Sequence, residues 1–185
     1  MPTLTPVAQK FILHWGEMGT RWGINRTMAQ VHALLFISPK PIHAEEIATT
    51  LSVARSNVST SLRELEGWGI VRVVHVLGDR RDHFESVKDV WEIFRIVAEE
   101  RKRREIDPTV RVLRECAEEL SATGTGEGDK YTRQRIESML EFLTAMTGLF
   151  EEVVRIPAST LRGVAKLRGK LAALLGMGRQ KEPAN

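Results

Sequence analysis

A single cysteine in 185 residues removes two kinds of chemistry at once. Cys116 has no second thiol for an internal disulfide and no thiol cluster for a metal. Its neighbours Val112, Leu113 and Leu120 mark it as a helix residue facing apolar side chains rather than a redox sensor. Long apolar runs are also missing: no stretch nears the roughly 18 residues a membrane span requires. The opening MPTLTPVAQKF lacks the charged-then-apolar plan of a secretory signal, so a cytoplasmic location is expected. There is no phosphate loop, nucleophile elbow or paired-carboxylate signature, so an enzyme is not expected. His14, His32, His43, His75 and His83 have no carboxylate or thiol cluster at metal spacing, and neither a metal nor a cofactor is expected. Of the five, His75 and His83 stand where they could face each other across a hairpin.

What is present is ordinary in bulk and uneven in distribution. The length suits about one domain with a real core. Forty-two per cent apolar and 28% charged residues are typical of a folded, soluble chain. The net charge is +3, but residues 155 to 185 alone hold seven Lys plus Arg against one Glu, so residues 1–154 carry −3. Overall basicity is therefore a poor argument for nucleic-acid binding. Any positive field over the body has to be local.

The local pattern is clearest from His43 to Glu85. A short amphipathic helix is expected over Ala44–Thr50, then a turn at Leu51-Ser52-Val53. A second helix over Ala54–Glu66 carries Val58, Leu62 and Leu65 at three- and four-residue spacing. Its other side holds Arg55, Ser56, Asn57, Ser59, Thr60 and Arg63. Short donors and acceptors with two guanidinium groups suit a helix lying in a major groove. A turn at Gly67 and Gly69 leads to a strand over Ile70–Val76, and the tip Leu77–Asp82 carries Arg80 and Arg81 next to Asp79 and Asp82. Such a tip can reach phosphates or a minor groove.

Around this unit the periodicity predicts helices. Thr5–Thr20 has Thr5 as cap, with Val7, Phe11, Trp15 and Met18 on one stripe that Gly16 and Gly19 weaken. Arg26–Phe36 follows, capped by Asn25 and stopped by Pro39 and Pro41. Asp89–Arg104 turns Trp91 or Val90, Phe94, Val97 and Ala98 inward. A new helix restarts at Asp107-Pro108. Tyr131–Ile156 carries the longest apolar stripe, including Leu140, Leu143, Met146, Phe150 and Val153. The expected fold is mainly α with a small β wing. Four segments are expected: 1–24, an N-terminal dimerisation helix and bend; 25–100, a winged helix-turn-helix head; 101–157, a helical dimerisation region; and 158–185, a basic amphipathic helix and tail. Phe11 and the Leu140–Val153 stripe are the expected dimer contacts, since an exposed stripe of that length would be an unusually large apolar patch.

The run from Ala54 to Glu85, together with Phe11–Phe36, resembles the GbsR-type branch of the MarR superfamily of winged helix-turn-helix transcriptional regulators. The resemblance covers most of residues 6–100. It implies a homodimer on a palindromic operator, commonly as a repressor, with Arg55, Ser56, Asn57, Ser59 and Thr60 on the recognition helix and Arg80 and Arg81 in the wing. It also implies a link to choline, glycine betaine or other osmolyte genes, with a small cationic osmolyte such as choline as effector. Trp15 and Trp22, with Glu17 supplying a negative charge, are the candidate cage for a quaternary ammonium. Aromatics on helical stripes are more often core, and Trp68 reads as structural. The alternative is a DNA-binding or architectural dimer that has no effector or answers to a protein partner.

Overall fold

Thr5 opens the first helix. Its hydroxyl accepts the Ala8 N–H at 3.2 Å, and Pro6 sits in the first turn, where its missing N–H costs nothing. In the computed structural model, which describes residues 4–123, 126–157, 159, 160, 163 and 167, α1 runs Pro6–Arg21. The chain bends at Gly23 (φ +75°), and Asn25 caps α2 (Arg26–Ile37) by accepting the N–H groups of Thr27 and Met28. The two helices pack together through a face other than the expected one. Val7 is 78% exposed, Phe11, Trp15 and Met18 are half-buried, and the buried positions of α1 are Ile12, Gly16 and Gly19. The glycines explain the rotation. A Cβ on Gly16 would lie 2.7 Å from Gln30 Cγ, and one on Gly19 would lie 2.5 Å from Ala29 Cβ. They are contact points between helix backbones, not weak spots in a helix.

The chain divides after Glu100 into two compact units. In the first, β1 (Ile42–His43) leads into α3 (Ala44–Leu51), which ends at Ser52 in the left-handed region. Next come α4 (Arg55–Trp68), β2 (Val71–His75), β3 (Asp82–Ser86) and α5 (Val90–Arg101). The strands form an antiparallel sheet ordered β1-β3-β2. Gly67 continues α4, and the chain turns only at Gly69 (φ +79°), so the helix runs on to Trp68 beyond the expected end at Glu66. The core joins Met28, Val31, Leu34 and Leu35 of α2 to Ile47, Val58, Leu62, Leu65, Ile70 and Phe84. Ile96 and Val97 of α5 pack against it, while Trp91 and Phe94, expected to point inward, are exposed. Lys88 ties the start of α5 to the end of α2: its ammonium donates to the carbonyls of Leu35, Phe36 and Ser38 at 2.7–2.9 Å.

In the second unit a π turn (Lys102–Ile106) leads into α6 (Asp107–Thr123), and α7 (Glu127–Arg155) packs against α6. Asp107 has helical backbone angles, so the chain passes through it from the π turn into α6 without leaving helical geometry. Its carboxylate takes Lys102 at 2.8 Å, and the same ammonium reaches Glu151 of α7 at 3.2 Å. Helix α7 starts four residues before Tyr131, because Asp129 accepts the Gly126 N–H. No residue of α7 is buried. Of the expected basic amphipathic helix, Arg162, Lys166, Arg168 and Lys170 lie outside the described residues.

Candidate nucleic-acid interface

Val58, Ser61, Leu62 and Leu65 bury one side of α4 in the head, and this fixes what the other side presents. Arg55, Ser56, Asn57, Thr60 and Arg63 are exposed and Ser59 is half-exposed. The six side chains singled out in the sequence thus share one continuous surface of one helix. The first turn of that helix is preorganised. Arg55 donates through Nε to Glu45 Oε1 at 3.0 Å and through Nη1 to the Ser59 hydroxyl. Glu45 stands in the first turn of α3. The backbone N–H there and the Arg55 guanidinium lower its pKa to about 2, so it stays ionised. No local pattern announces this pair, because the partners are ten residues apart across the helix-turn-helix.

The wing lies between Val76 and Arg81. Gly78 takes φ +86°, and Asp79 Oδ1 accepts the Arg81 N–H at 3.0 Å, closing a tight turn. The two wing arginines differ. Arg81 donates from Nε to Asp79 at 2.9 Å, which holds the Asp79 carboxyl well below the usual carboxylate range and raises the guanidinium pKa further. Arg80 is exposed and pairs with no carboxylate among the described residues. Arg72, on β2, is held by Glu85 at 2.6 Å. His75 and His83 do not face each other across the hairpin. His75 is opposite Asp82 and exposed, whereas His83 is buried and stacks edge-on against His43, 5.5 Å between centroids. Among the described residues no group of three His, Cys, Asp or Glu could hold a metal ion, and no helix is long and apolar enough to cross a membrane.

Trp15 and Trp22 come together, edge to face at 6.1 Å, and with Trp68 they border a cavity of about 80 Å³ inside the head. Glu17 is exposed and does not line it. A larger apolar recess of about 470 Å³ lies between the start of α1, the end of α2 and α3. It has Glu46 and Lys40 in its wall but no aromatic ring. Rings and carboxylate therefore belong to different cavities. Of the expected dimer contacts, Phe11 is half-buried and stacks on Trp15 at 5.6 Å. On α7, Leu140, Leu143 and Phe150 are half-buried, and Met146 and Val153 are exposed.

A helix-turn-helix with an open polar face on its second helix, followed by a cation-tipped hairpin, defines a winged helix-turn-helix DNA-binding head. Residues 22–82 match the model of the MarR family. The match spans about a third of the chain, residues 22–82 of 185, and marks the head as similar to that family. Among solved structures, a protein described as a transcriptional regulator is 23% identical, with a TM-score of 0.59 over 80% of this chain and 96% of its own. A transcriptional regulator from Thermotoga maritima is 17% identical (TM-score 0.37, 80% and 92% covered). The transcriptional regulator SlyA is 13% identical (TM-score 0.34, 80% and 91% covered). The first of these carries the likeness of fold. No curated protein matches the chain.

Proposed function

We propose that the protein is a sequence-specific, ligand-responsive repressor that binds an inverted-repeat operator in duplex DNA as a homodimer. The exposed polar face of α4 carries this reading. One helix of this length contacts only a few base pairs, and a two-fold dimer doubles the contacts and fixes the half-site spacing near one helical turn. In this reading Asn57 and Arg55 read base edges, with Ser56, Ser59, Thr60 and Arg63 beside them, and Arg80 and Arg81 contact the phosphate backbone.

The dimer reading is supported by α7. Met139, Phe142, Met146, Leu149, Val153 and Ile156 are exposed and fall at alternating three- and four-residue steps. This is the spacing of a helix-pairing seam, and it lies beside the half-buried series Ile136, Leu140, Leu143, Phe150 and Val154. A second copy of the chain is the natural cover for so long an apolar strip. It follows that Met146 and Val153 belong to the seam and that Leu140, Leu143 and Phe150 support it from the adjoining face.

The link to choline or another cationic osmolyte rests on the GbsR-type resemblance and on the solvent-facing side of Trp22, 49% exposed, where a quaternary ammonium could meet the ring from outside the cavity. Selecting bound duplexes from a random pool, with and without choline, tests both parts. Enrichment of inverted repeats that choline weakens is expected. Enrichment of a single asymmetric half-site would refute the dimeric reading, and a choline-insensitive inverted repeat would remove the osmolyte and leave the operator.

A further inference from the structure

The wall of the head cavity includes a buried imidazole nitrogen that its surroundings leave unsatisfied. His32 of α2 is 8% exposed, and among the described residues its Nε2 has no hydrogen-bond partner. The ring is held by a tilted contact with Phe36, 6.2 Å between centroids. The rest of the cavity wall is apolar or aromatic and contains no charged side chain. A buried, unpaired imidazole nitrogen loses the hydrogen bond it had in water, so native proteins rarely leave one empty-handed. Burial, reinforced by the nearby Lys88 ammonium, keeps this ring neutral by lowering its pKa to about 4.

From the cavity and the unpaired nitrogen of His32, we propose that the space beneath Trp15, Trp22 and Trp68 is a binding site for a small uncharged alcohol whose hydroxyl pairs with His32 Nε2. Each element of the ligand follows from the wall. A neutral imidazole presents either an N–H or a lone pair at Nε2, and a hydroxyl can pair with either. A carboxylate or an ammonium would be buried with no opposite charge in the lining, and the Lys88 field further disfavours a cation. The volume sets the size. Eighty cubic ångströms is about half the roughly 150 Å³ of a dry cavity that accepts benzene, so a ligand of about three to five heavy atoms fits. Trp22, 49% exposed, stands at the border with solvent, where a longer chain could emerge.

The position gives occupancy a consequence. Leu65 and Trp68 in the wall belong to the far end of α4, and Ile70 leads into the wing. A ligand that bound one setting of these side chains better than another would shift the recognition helix by that difference in affinity. This consequence rests on the DNA-binding reading of α4; the site itself does not.

The test therefore uses the full chain without DNA. Imidazole nitrogens are labelled with 15N, and 1-propanol is added to about 50 mM, a range chosen because a ligand of four heavy atoms should half-saturate on the order of 1–10 mM. The expected result is a saturable shift of the His32 Nε2 resonance, with the other four histidines still. His32→Leu should lose saturable binding, followed by thermal stabilisation, by at least tenfold, and His32→Gln, which keeps a donor and an acceptor, should stay within about threefold. A His32 resonance that does not move or moves only linearly would assign the cavity to ordered water and overturn the proposal. Equal saturation in His32→Leu, or a loss in His32→Gln as deep as in His32→Leu, would overturn it as well. Because the wild-type titration decides by itself, poor folding of a variant leaves the proposal open to refutation.

Discussion

In the head, Val31, Ile47 and Val58 are wholly shielded from solvent, and the core draws on four helices and the sheet. In the second unit α7 runs for 29 residues and buries none of them, although Phe142 and Leu149 are 61% and 60% exposed. Both regions have the apolar content of a folded helix; they differ in where the cover comes from. The head closes over its own stripes, because its helices meet from several directions around a sheet. A two-helix hairpin can cover only one face of each helix, so a second apolar stripe stays outside. A large core contact should therefore matter to the head in isolation, and a large exposed contact on α7 should matter only to assembly.

The sharpest break in this contrast is a matched pair of truncations. Leu62→Ala removes a side chain that is 2% exposed and should cost the head about 2–5 kcal/mol in urea unfolding. Phe142→Ala combined with Leu149→Ala should leave the same unfolding transition, read at fixed low concentration, within about 0.5 kcal/mol. In sedimentation, the double variant should weaken self-association by at least about a hundredfold, because central aromatic and aliphatic anchors dominate such seams. A dimer of wild-type strength would move the interface off this stripe.

The next effect probes the interior of the head. His32 is expected to titrate near 6.5 in the unfolded chain and at about 4 in the fold, so the unfolded state takes the proton first as pH falls. The contribution of this group to stability is complete above the unfolded value and lost as pH drops from 6.5 towards 4. A shift of that size corresponds to roughly 3 kcal/mol across the window. His32→Leu should flatten the rise of urea stability with pH by about this amount and leave the neutral-pH value equal or higher. An unchanged slope would mean that His32 is hydrated in the fold.

Local chemistry was legible in the sequence, and distant contact was not. The caps at Thr5 and Asn25, the buried side of α4 and the existence of the wing all follow from spacings of a few residues. The burial of Gly16 and Gly19 depends on Gln30 and Ala29 of another helix, and so the α1 stripe was read one residue out of phase. Trp91 and Phe94 lie on a helix whose periodicity fits more than one inward face, and the core selected the face with Ile96 and Val97. The clamp of Glu45 on Arg55 and the triple capping by Lys88 span 10 and 50–53 residues, beyond any local motif. The cavity around His32 is likewise assembled from α1, α2, α4 and α5. At the candidate interface the sequence identified which side chains are displayed but not which are already engaged.

That difference in engagement leads to the smallest predicted effect, at the wing. Arg80 and Arg81 are neighbours with the same charge, yet Arg81 is neutralised by Asp79 and Arg80 is not. If both reach phosphates, Arg80 brings a full charge and releases counterions, whereas Arg81 must first leave its carboxylate. Arg80→Ala should therefore flatten the dependence of log affinity on log salt by about 0.9 on a mixed-sequence duplex. Asp79→Asn should act in the opposite direction and steepen it by up to about the same amount, because it frees Arg81. Asparagine keeps an Oδ1 to accept the Arg81 N–H, so the turn that shapes the tip is retained. Opposite changes in the two variants would establish the wing as a phosphate contact regulated by its own aspartate. Identical slopes for wild type and both variants would confine DNA contact to α4.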